Sequence, residues 1–220
     1  MAVNSQVMPR ILVINPNSSA ACTAGIGAAV APFRVPGGAV VDVVGLAEGP
    51  PAILSWRDWH GVVEPLCRLV EGNAADVYVI ACASDPGLEA VRGLTGRPVL
   101  GVFRCAVAAA MARAERFGVI AIVEASKARH MAALRAMGLE GRLAAEVAMN
   151  VSMAALLDPA AARAGLLAAG RACVAAGAQI LVLGCTGMAG HRAAIEDAAG
   201  VGVVEPCQAG VAMGLLAVAV

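Results

Sequence analysis

The stretch from Gln179 to Gly190, QILVLGCTGMAG, decides the fold of this chain, because it joins a short apolar run to a cysteine and then to a helix start. A similar stretch, DVYVIACASDPG, runs from Asp76 to Gly87. Four apolar positions lead towards Cys185 in the first stretch and towards Cys82 in the second, and turn or helix-start residues follow each cysteine. Each stretch therefore predicts a buried strand with a thiol at its carboxyl end.

The spacing of these stretches indicates an internal repeat, since about half of the 220-residue chain separates the two cysteines. Strand-like apolar runs alternate with helical patterns, which is typical of parallel sheets with helices on both faces. We therefore predict an α/β fold of two pseudo-symmetric halves, each a parallel sheet flanked by helices, with the active site between them. The halves are expected over residues 1–102 and 103–206, and the last helix, 207–220, is expected to pack back on the first half.

Ligands bind outside the carboxyl ends of the strands in such sheets, and both cysteines are predicted to lie there. A third strand end of this kind follows the apolar run Arg10 to Ile14, where Asn15-Pro16-Asn17 predicts a tight turn. Asn17, Ser18 or Ser19 can cap the helix that follows. The backbone N–H groups of that helix start can hold a carboxylate or carbonyl oxygen, although a simple capped turn explains the same pattern.

Three further helices bear on the predicted site. They are expected from Asp58 to Glu71, from the Cys82 turn to Leu94 with Pro86 in the first turn, and from Gly187 to Ala199. Near the start of the first of them, Trp56 and Trp59 either line the pocket or anchor the helix against the sheet.

Composition argues against several other classes of protein. The 16 basic and 16 acidic residues cancel and aromatic residues are 3% of the chain, so nucleic acid is not the expected partner. No apolar run reaches the roughly 18 residues that a membrane span requires, and we expect no membrane role. The N-terminal segment MAVNSQVMPR lacks the pattern of a secretion signal, which predicts a cytoplasmic protein.

The remaining cysteines and the histidines predict no cofactor. Seven cysteines without a CxxC pair indicate reduced thiols, and three histidines without HxH or HExxH spacing predict no metal site. Gly25-Ile26-Gly27 falls inside a predicted helix, so a nucleotide cofactor is not expected. Whether Cys105 lies at the mouth of the site is left open. Four cysteines are predicted to be core residues: Cys22, Cys67, Cys173 and Cys207.

Two thiols at equivalent strand ends predict a paired acid and base. A carbon acid is racemised when a thiolate removes its proton on one face and a thiol delivers another on the opposite face. A helix N-terminus lowers a thiol pKa from its usual value near 8.5 by roughly 1.5 units at most, whereas burial raises it. We therefore expect the thiolate to form with substrate in place, and backbone N–H groups to stabilise the enolate. The alternative is that Cys82 and Cys185 only fill the core.

Four motifs resemble the Asp/Glu/hydantoin racemase superfamily, most closely its hydantoin (allantoin) racemase branch, in order and at similar spacing. They are INPNSS (Ile14 to Ser19), GPPAI (Gly49 to Ile53), ACASDPGLEA (Ala81 to Ala90) and VLGCTGM (Val182 to Met188). The resemblance covers nearly the whole chain. It implies two α/β domains, no cofactor, and Cys82 and Cys185 as the two bases. It also places five residues at the substrate: Asn15, Ser18, Ser84, Thr186 and Gly187.

Some positions depart from that branch. Ala83 stands where an aromatic residue is common, and Ala121 and Ile122 stand where threonines are common. Phe103-Arg104 replaces the usual glycine and glutamate, and an arginine at a helix start favours an anion. If Arg104 faces the site, a carboxylate-bearing substrate is expected over a neutral hydantoin; a solvated surface arginine is the alternative.

We expect a cofactor-independent racemase or epimerase of a small carbon acid, a 5-substituted hydantoin or allantoin, in a homo-oligomer. One alternative is an amino-acid racemase of the Asp/Glu type or a related decarboxylase or isomerase. Retention of both cysteines argues against the decarboxylase, which resembles this fold and protonates from a single thiol. Another alternative is a non-catalytic relative that binds a small molecule, which the changes at Ala83, Ala121 and Ile122 favour.

Overall fold

The computed structural model describes residues 8–219, apart from the side chains of residues 157 and 159. Over these residues, strands and helices alternate and form two four-stranded parallel sheets. The strands are β1 (Arg10–Asn15), β2 (Val40–Gly45), β3 (Val77–Ile80), β4 (Val99–Gly101), β5 (Phe117–Ala121), β6 (Leu143–Ala148), β7 (Ile180–Gly184) and β8 (Val203–Val204).

The helices flank both sheets. The α-helices are α1 (Ala20–Ala29), α2 (Trp56–Gly61), α3 (Val63–Glu71), α4 (Leu88–Leu94), α5 (Val102–Met111), α6 (Ser126–Met137), α7 (Met153–Leu157), α8 (Pro159–Ala175), α9 (Arg192–Ala199) and α10 (Pro206–Ala219). Short 3₁₀ helices run over Ala31–Phe33, Glu140–Arg142 and Thr186–His191.

The two sheets have the same strand order. It is β2-β1-β3-β4 in the first and β6-β5-β7-β8 in the second, and every pair is parallel. The predicted α/β fold with two similar parallel sheets is therefore confirmed. The boundaries at residues 1–102 and 103–206 stay predictions.

The two strands that lead to the cysteines are inner strands of their sheets. All residues of β3 (VYVI) and β7 (ILVLG) are buried, as expected for parallel strands that helices cover on both faces. The strands end at Ile80 and Gly184, immediately before the segments that carry Cys82 and Cys185. The repeated sequence pattern therefore puts both thiols at the carboxyl edges of the sheets.

The helix after Cys82 begins later than predicted. It begins at Leu88, and Gly87 before it has a left-handed φ of 69°, so Pro86 precedes the helix instead of lying in its first turn. The physical reason is Asp85, which accepts the N–H groups of Phe103 and Arg104 at the start of α5 and so holds residues 83–87 as a loop.

Two other predicted helices are interrupted. The stretch from Asp58 to Glu71 belongs to two helices, α2 and α3, which meet at Val62. The stretch from Gly187 to Ala199 begins as the 3₁₀ helix Thr186–His191 and becomes α-helical at Arg192.

The last helix, α10, packs against the first sheet. Its residues Cys207 and Val211 are fully buried in a cluster with Ile11, Val79 and other side chains of that sheet. Within the described range, no helix is both long enough and apolar enough to cross a membrane. The prediction that the N-terminal segment lacks a secretion signal rests mainly on residues 1–7, which lie outside the described residues, as does residue 220.

Candidate active site

A cavity at the carboxyl edges of both sheets holds the two predicted thiols. It has about 430 Å³ of empty space including its mouth, and Cys82 and Cys185 both line it. Ser84 and Thr186, two of the predicted substrate-binding residues, also line this cavity. The structure therefore brings together four of the eight predicted site residues.

The first thiol, Cys82, lies in the loop between β3 and α4. Its Sγ is 3.4 Å from Oγ of Ser84. The indole N–H of Trp59 donates to the Ser84 carbonyl at 2.9 Å, so α2 fixes this loop. Burial raises the pKa of Cys82, whereas the side-chain and backbone hydrogen bonds from Ser84 lower it. Among nearby charges, Asp85 raises this pKa and Arg129 lowers it.

The second thiol, Cys185, has a closely related environment. It is 8% exposed, and burial raises its pKa to about 12, with the backbone hydrogen bond from Gly187 acting in the opposite direction. In each half, the hydrogen bond therefore comes from the residue two positions after the cysteine. Burial raises the pKa of each thiol by more than these hydrogen bonds lower it, so neither thiol is ionised without further stabilisation.

The helix dipole contributes less at Cys82 than the sequence predicts. The helix α4 begins six residues later, at Leu88, and the effect of a helix terminus falls off within about one turn. Cys185 directly precedes the 3₁₀ helix Thr186–His191. The hydrogen bonds of the two loops, more than helix dipoles, are therefore the local stabilisation available to a thiolate.

The INPN turn supplies another part of the wall through Asn17, which lines the cavity. Asn15 is fully buried, and its Nδ2 donates to Oδ1 of Asn17 and to Oγ1 of Thr23, both at 3.0 Å. The same Asn17 oxygen accepts the N–H of Ser19 at 2.9 Å. The predicted residue Asn15 thus holds the turn, while Asn17 reaches the cavity.

The GPPAI motif forms the loop that packs on this turn. A Cβ atom on Gly49 would lie 2.7 Å from the Pro16 carbonyl oxygen, so glycine permits the close approach. The carbonyl of Pro50 accepts the N–H of Ser18 at 3.0 Å. The end of the motif and the residue after it, Ile53 and Leu54, line the cavity.

Besides Asn15, three predicted site residues lie outside the central cavity. Ser18 lines a surface depression beside α1, and Gly187 lines a separate pocket between α1 and the segment after Cys185. Arg104 lines an outer pocket, where its Nη2 donates to Glu89 at 2.8 Å and its Nη1 lies 4.0 Å from Asp85. Arg104 therefore has acidic partners within the protein and does not line the cavity of the thiols.

Of the three positions where an aromatic residue or a threonine is common in the hydantoin racemase branch, two line the cavity. Ala83 and Ile122 are part of its wall, and Ala121 is fully buried in β5. Ala83 and Ile122 therefore contribute no hydroxyl or aromatic group to the wall.

Sequence reasoning missed the residues that α6 contributes. Ser126, Arg129 and His130 all line the cavity from the first turns of this helix. His130 is paired with Glu146 at 2.5 Å, and both side chains are buried. The place of α6 in the chain was the signal for these residues. Because α6 follows β5 as α1 follows β1, it begins at the same edge of its sheet.

The other five cysteines are buried, which was predicted for four of them and left open for Cys105. Cys105 is 4% exposed, lies outside the cavity wall, and has a pKa that burial raises to about 12. In the part of the chain that the structure describes, no three histidine, cysteine, aspartate or glutamate side chains cluster as metal ligands do. The four cysteines predicted for the core are confirmed as core residues by their burial: Cys22, Cys67, Cys173 and Cys207.

Most of the chain matches one protein family. Residues 11–214 match the family model described as Asp/Glu/Hydantoin racemase. The hydantoin racemase of Paenarthrobacter aurescens is 36% identical over 207 residues, which are 91% of this chain and 87% of that protein. The allantoin racemase of Klebsiella pneumoniae has a TM-score of 0.87 and 31% identity, over 96% of this chain and 89% of that one. The allantoin racemase of Pseudomonas fluorescens has a TM-score of 0.89 and 25% identity, over 96% and 91%. The resemblance inferred from the motifs is confirmed.

Proposed function

Because the chain belongs to the Asp/Glu/hydantoin racemase family, we propose that it racemises a 5-substituted hydantoin or allantoin, with Cys82 and Cys185 as its two bases. Its relatives make it a racemase of the hydantoin type, and therefore an isomerase. The substrate and the roles of the two thiols are the parts that this proposal adds.

The observation that supports the proposal is the placement of the two thiols. Cys82 and Cys185 follow equivalent inner strands of two sheets with the same strand order, and both line one cavity. Each also receives a backbone hydrogen bond from the residue two positions later, Ser84 or Gly187. Two-base racemisation requires such a matched pair, because each group acts as the acid for one enantiomer and as the base for the other.

The reaction transfers two protons, and the enzyme ends as it began, with one thiol and one thiolate. One cysteine, as the thiolate, takes the proton from the carbon next to the carbonyl, and the electron pair of the broken C–H bond moves into an enolate. The other cysteine, as the thiol, gives its proton to the opposite face of that carbon, and the electron pair returns to form the new C–H bond. The two cysteines have then exchanged roles, so the reverse reaction uses the same groups.

The substrate has to assist in forming the thiolate. A thiol whose pKa is about 12, as for Cys185, is ionised in roughly one molecule in 10⁵ at pH 7. N–H donors that are already oriented towards the developing enolate oxygen stabilise the transition state more than the ground state. We expect backbone N–H groups of the two cysteine loops other than those that bond the thiols to serve this purpose once the substrate has displaced water from the cavity.

Deuterium exchange tests the proposed activity. Enantiopure 5-substituted hydantoins and allantoin are incubated with the protein in deuterated water, and optical rotation and deuteration of the reacting carbon are followed together. We expect optical rotation to be lost while deuterium enters that carbon. Absence of exchange in every one of these compounds would contradict the proposal.

Single cysteine variants test the mechanism. We expect Cys82→Ser and Cys185→Ser each to lower the racemisation rate at least about 10³-fold, because a serine hydroxyl is a far weaker acid than a thiol and each variant lacks one of the two bases. Each variant is also expected to retain exchange with one enantiomer, and the two variants with opposite ones. Cys67→Ser, a cysteine in α3 away from the cavity, is the matched control and should keep the activity. Full activity in either active-site variant would rule out the two-base mechanism.

A further inference from the structure

The arginine in the cavity wall is buried and only partly hydrogen-bonded. Arg129 is 3% exposed, and its Nη1 donates to the carbonyl oxygens of Leu54 at 3.3 Å and Ala125 at 3.1 Å. Its Nη2 donates to Oγ of Ser126 at 3.3 Å. The guanidinium carbon lies 6.0 Å from the ring centre of Trp56. Among the described residues, nothing accepts a hydrogen bond from its Nε.

The charge of this guanidinium has no acidic partner at ion-pair distance among the described residues. All of its hydrogen-bond acceptors are neutral oxygens, whereas two other buried charged groups near the cavity have a charged neighbour. His130 is paired with Glu146, and Asp85 lies 4.0 Å from Arg104. Two acidic groups act on Arg129 through their charge, first Cys82 as its thiolate and then Asp58, and Asp58 is held by the backbone and hydroxyl of Ser55. Burying an unpaired charge is unfavourable, and such charges persist in proteins mainly where function requires them.

Arg129 belongs to the walls of two neighbouring pockets. Arg129 and Ser84 line both the central cavity and an outer pocket, which has about 600 Å³ of empty space including its mouth and whose walls include Trp59 and His60. A substituent that leaves the reacting carbon in this direction therefore passes the guanidinium. No lysine lines the cavity, and no other arginine does so among the described residues.

We propose that Arg129 binds an anionic group of the substrate, so that this enzyme acts on a carbon acid that carries a carboxylate on the substituent of its reacting carbon. A guanidinium presents parallel N–H donors in a fork that matches a carboxylate, and the free Nε–H together with an Nη–H forms one such pair. The hydantoin of an acidic amino acid has this chemistry. The inference rests on the proposed racemase function and narrows its substrate.

A matched pair of substrates tests the charge alone. The 5-carboxymethyl and 5-carbamoylmethyl hydantoins have nearly the same size and differ in one negative charge. We expect the wild-type kcat/KM for deuterium exchange to be at least tenfold higher for the acid than for the amide. Arg129→Gln should lower the value for the acid at least 100-fold and that for the amide less than fivefold.

The control for this variant lies on the same helix. Arg135→Gln removes an exposed arginine of α6 that pairs with Glu140, and it should leave both values unchanged. Equal wild-type values for the acid and the amide would overturn the inference. So would an equal loss on both substrates in Arg129→Gln, because that result would show that Arg129 supports the Cys82 thiolate or the fold and not an anion.

A binding measurement separates this inference from the proposed function. The double variant Cys82→Ser/Cys185→Ser lacks both bases, and calorimetry measures how tightly it binds the 5-carboxymethyl hydantoin with and without Arg129→Gln. We expect binding that weakens at least 100-fold when Arg129 is replaced. If that dependence is found while the wild-type protein exchanges no hydantoin, the anion site stands and the racemase proposal fails. Binding that does not depend on Arg129 would overturn the inference whatever the activity.

Discussion

Asp85 is the residue on which the geometry beside Cys82 depends. Its φ of 48° turns the chain, and its carboxylate occupies the space that a Cβ atom on Gly101 would need, 2.3 Å from the carboxyl carbon. There it accepts the N–H groups of Phe103 and Arg104 at the start of α5. One buried carboxylate therefore joins the loop that carries Cys82 to a neighbouring helix.

The same carboxylate makes stability depend on pH. Burial raises the pKa of Asp85 to about 6 in the folded protein, against an ordinary value of 3.8, and the Phe103 and Arg104 N–H groups act in the opposite direction. The folded state binds this proton more tightly than the unfolded state does, so protonation of Asp85 stabilises the fold. That stabilisation is complete below about pH 4 and is lost as the pH rises through about 6.

We predict that the wild-type protein gains stability relative to Asp85→Asn when the pH is lowered from 7 to 4. The gain follows a slope of up to about 1.4 kcal/mol per pH unit and is about 1 to 3 kcal/mol in all. Urea unfolding of both proteins at several pH values measures it. A difference that stays constant, or that changes in the opposite direction, would contradict the assignment.

Single residues also show how far the sequence predicts the site. Cys82 and Cys185 were predictable because a duplicated pattern marks both strand ends. Arg104 and Arg129 were not, because a helix position does not specify the direction of a side chain without its partners. Arg104 is held by Glu89 and Asp85 in the outer pocket, whereas Arg129 turns inward from α6.

At the scale of elements, strands were easier to predict than helix starts. A buried parallel strand is a short apolar run, and this signal is local. The start of α4 depends on the capture of Asp85 by α5, which lies 18 residues away along the chain, and no local pattern contains that contact. The late start of α4 also leaves Cys82 in a loop, where burial raises its pKa and hydrogen bonds from Ser84 lower it.

The helix α10 offers a test of how tightly elements pack around the first sheet. A Cβ atom on Gly210 would lie 2.9 Å from methyl groups of both Val79 and Val102, whereas one on Gly214 would lie 3.4 Å from Ile11 and Val77. Alanine favours a helix interior over glycine by up to about 1 kcal/mol, and overpacking costs about 1 to 3 kcal/mol.

We therefore predict opposite effects for two identical substitutions. Gly214→Ala should raise the free energy of unfolding by about 0.5 to 1 kcal/mol, and Gly210→Ala should lower it by about 1 kcal/mol. Urea unfolding of the two variants side by side measures both, and each serves as the control for the other. Equal effects of the same sign would show that α10 does not pack against Val79 and Val102 as described.

At the scale of the whole molecule, one architecture is used twice. Both sheets have the same strand order, and in each sheet one inner strand leads to a cysteine. This is why a repeat in the sequence predicted the fold. The cavity wall, however, combines the loop before α2 with the start of α6, and its arginine donates to Leu54, 75 residues earlier. The walls of the cavity therefore depend on contacts between the repeats, which the repeated pattern does not specify. A homo-oligomer and a cytoplasmic location stay predictions.

The two tryptophans of the chain both lie beside this wall. Trp59 donates to the Ser84 carbonyl, the ring of Trp56 faces Arg129, and the two indoles lie 5.6 Å apart. The protein thus contains an intrinsic fluorophore pair next to the cavity of the two thiols and no tryptophan elsewhere. An anion that engages the guanidinium changes the electric field at these indoles, so the emission of the unlabelled protein should report occupancy directly during a titration.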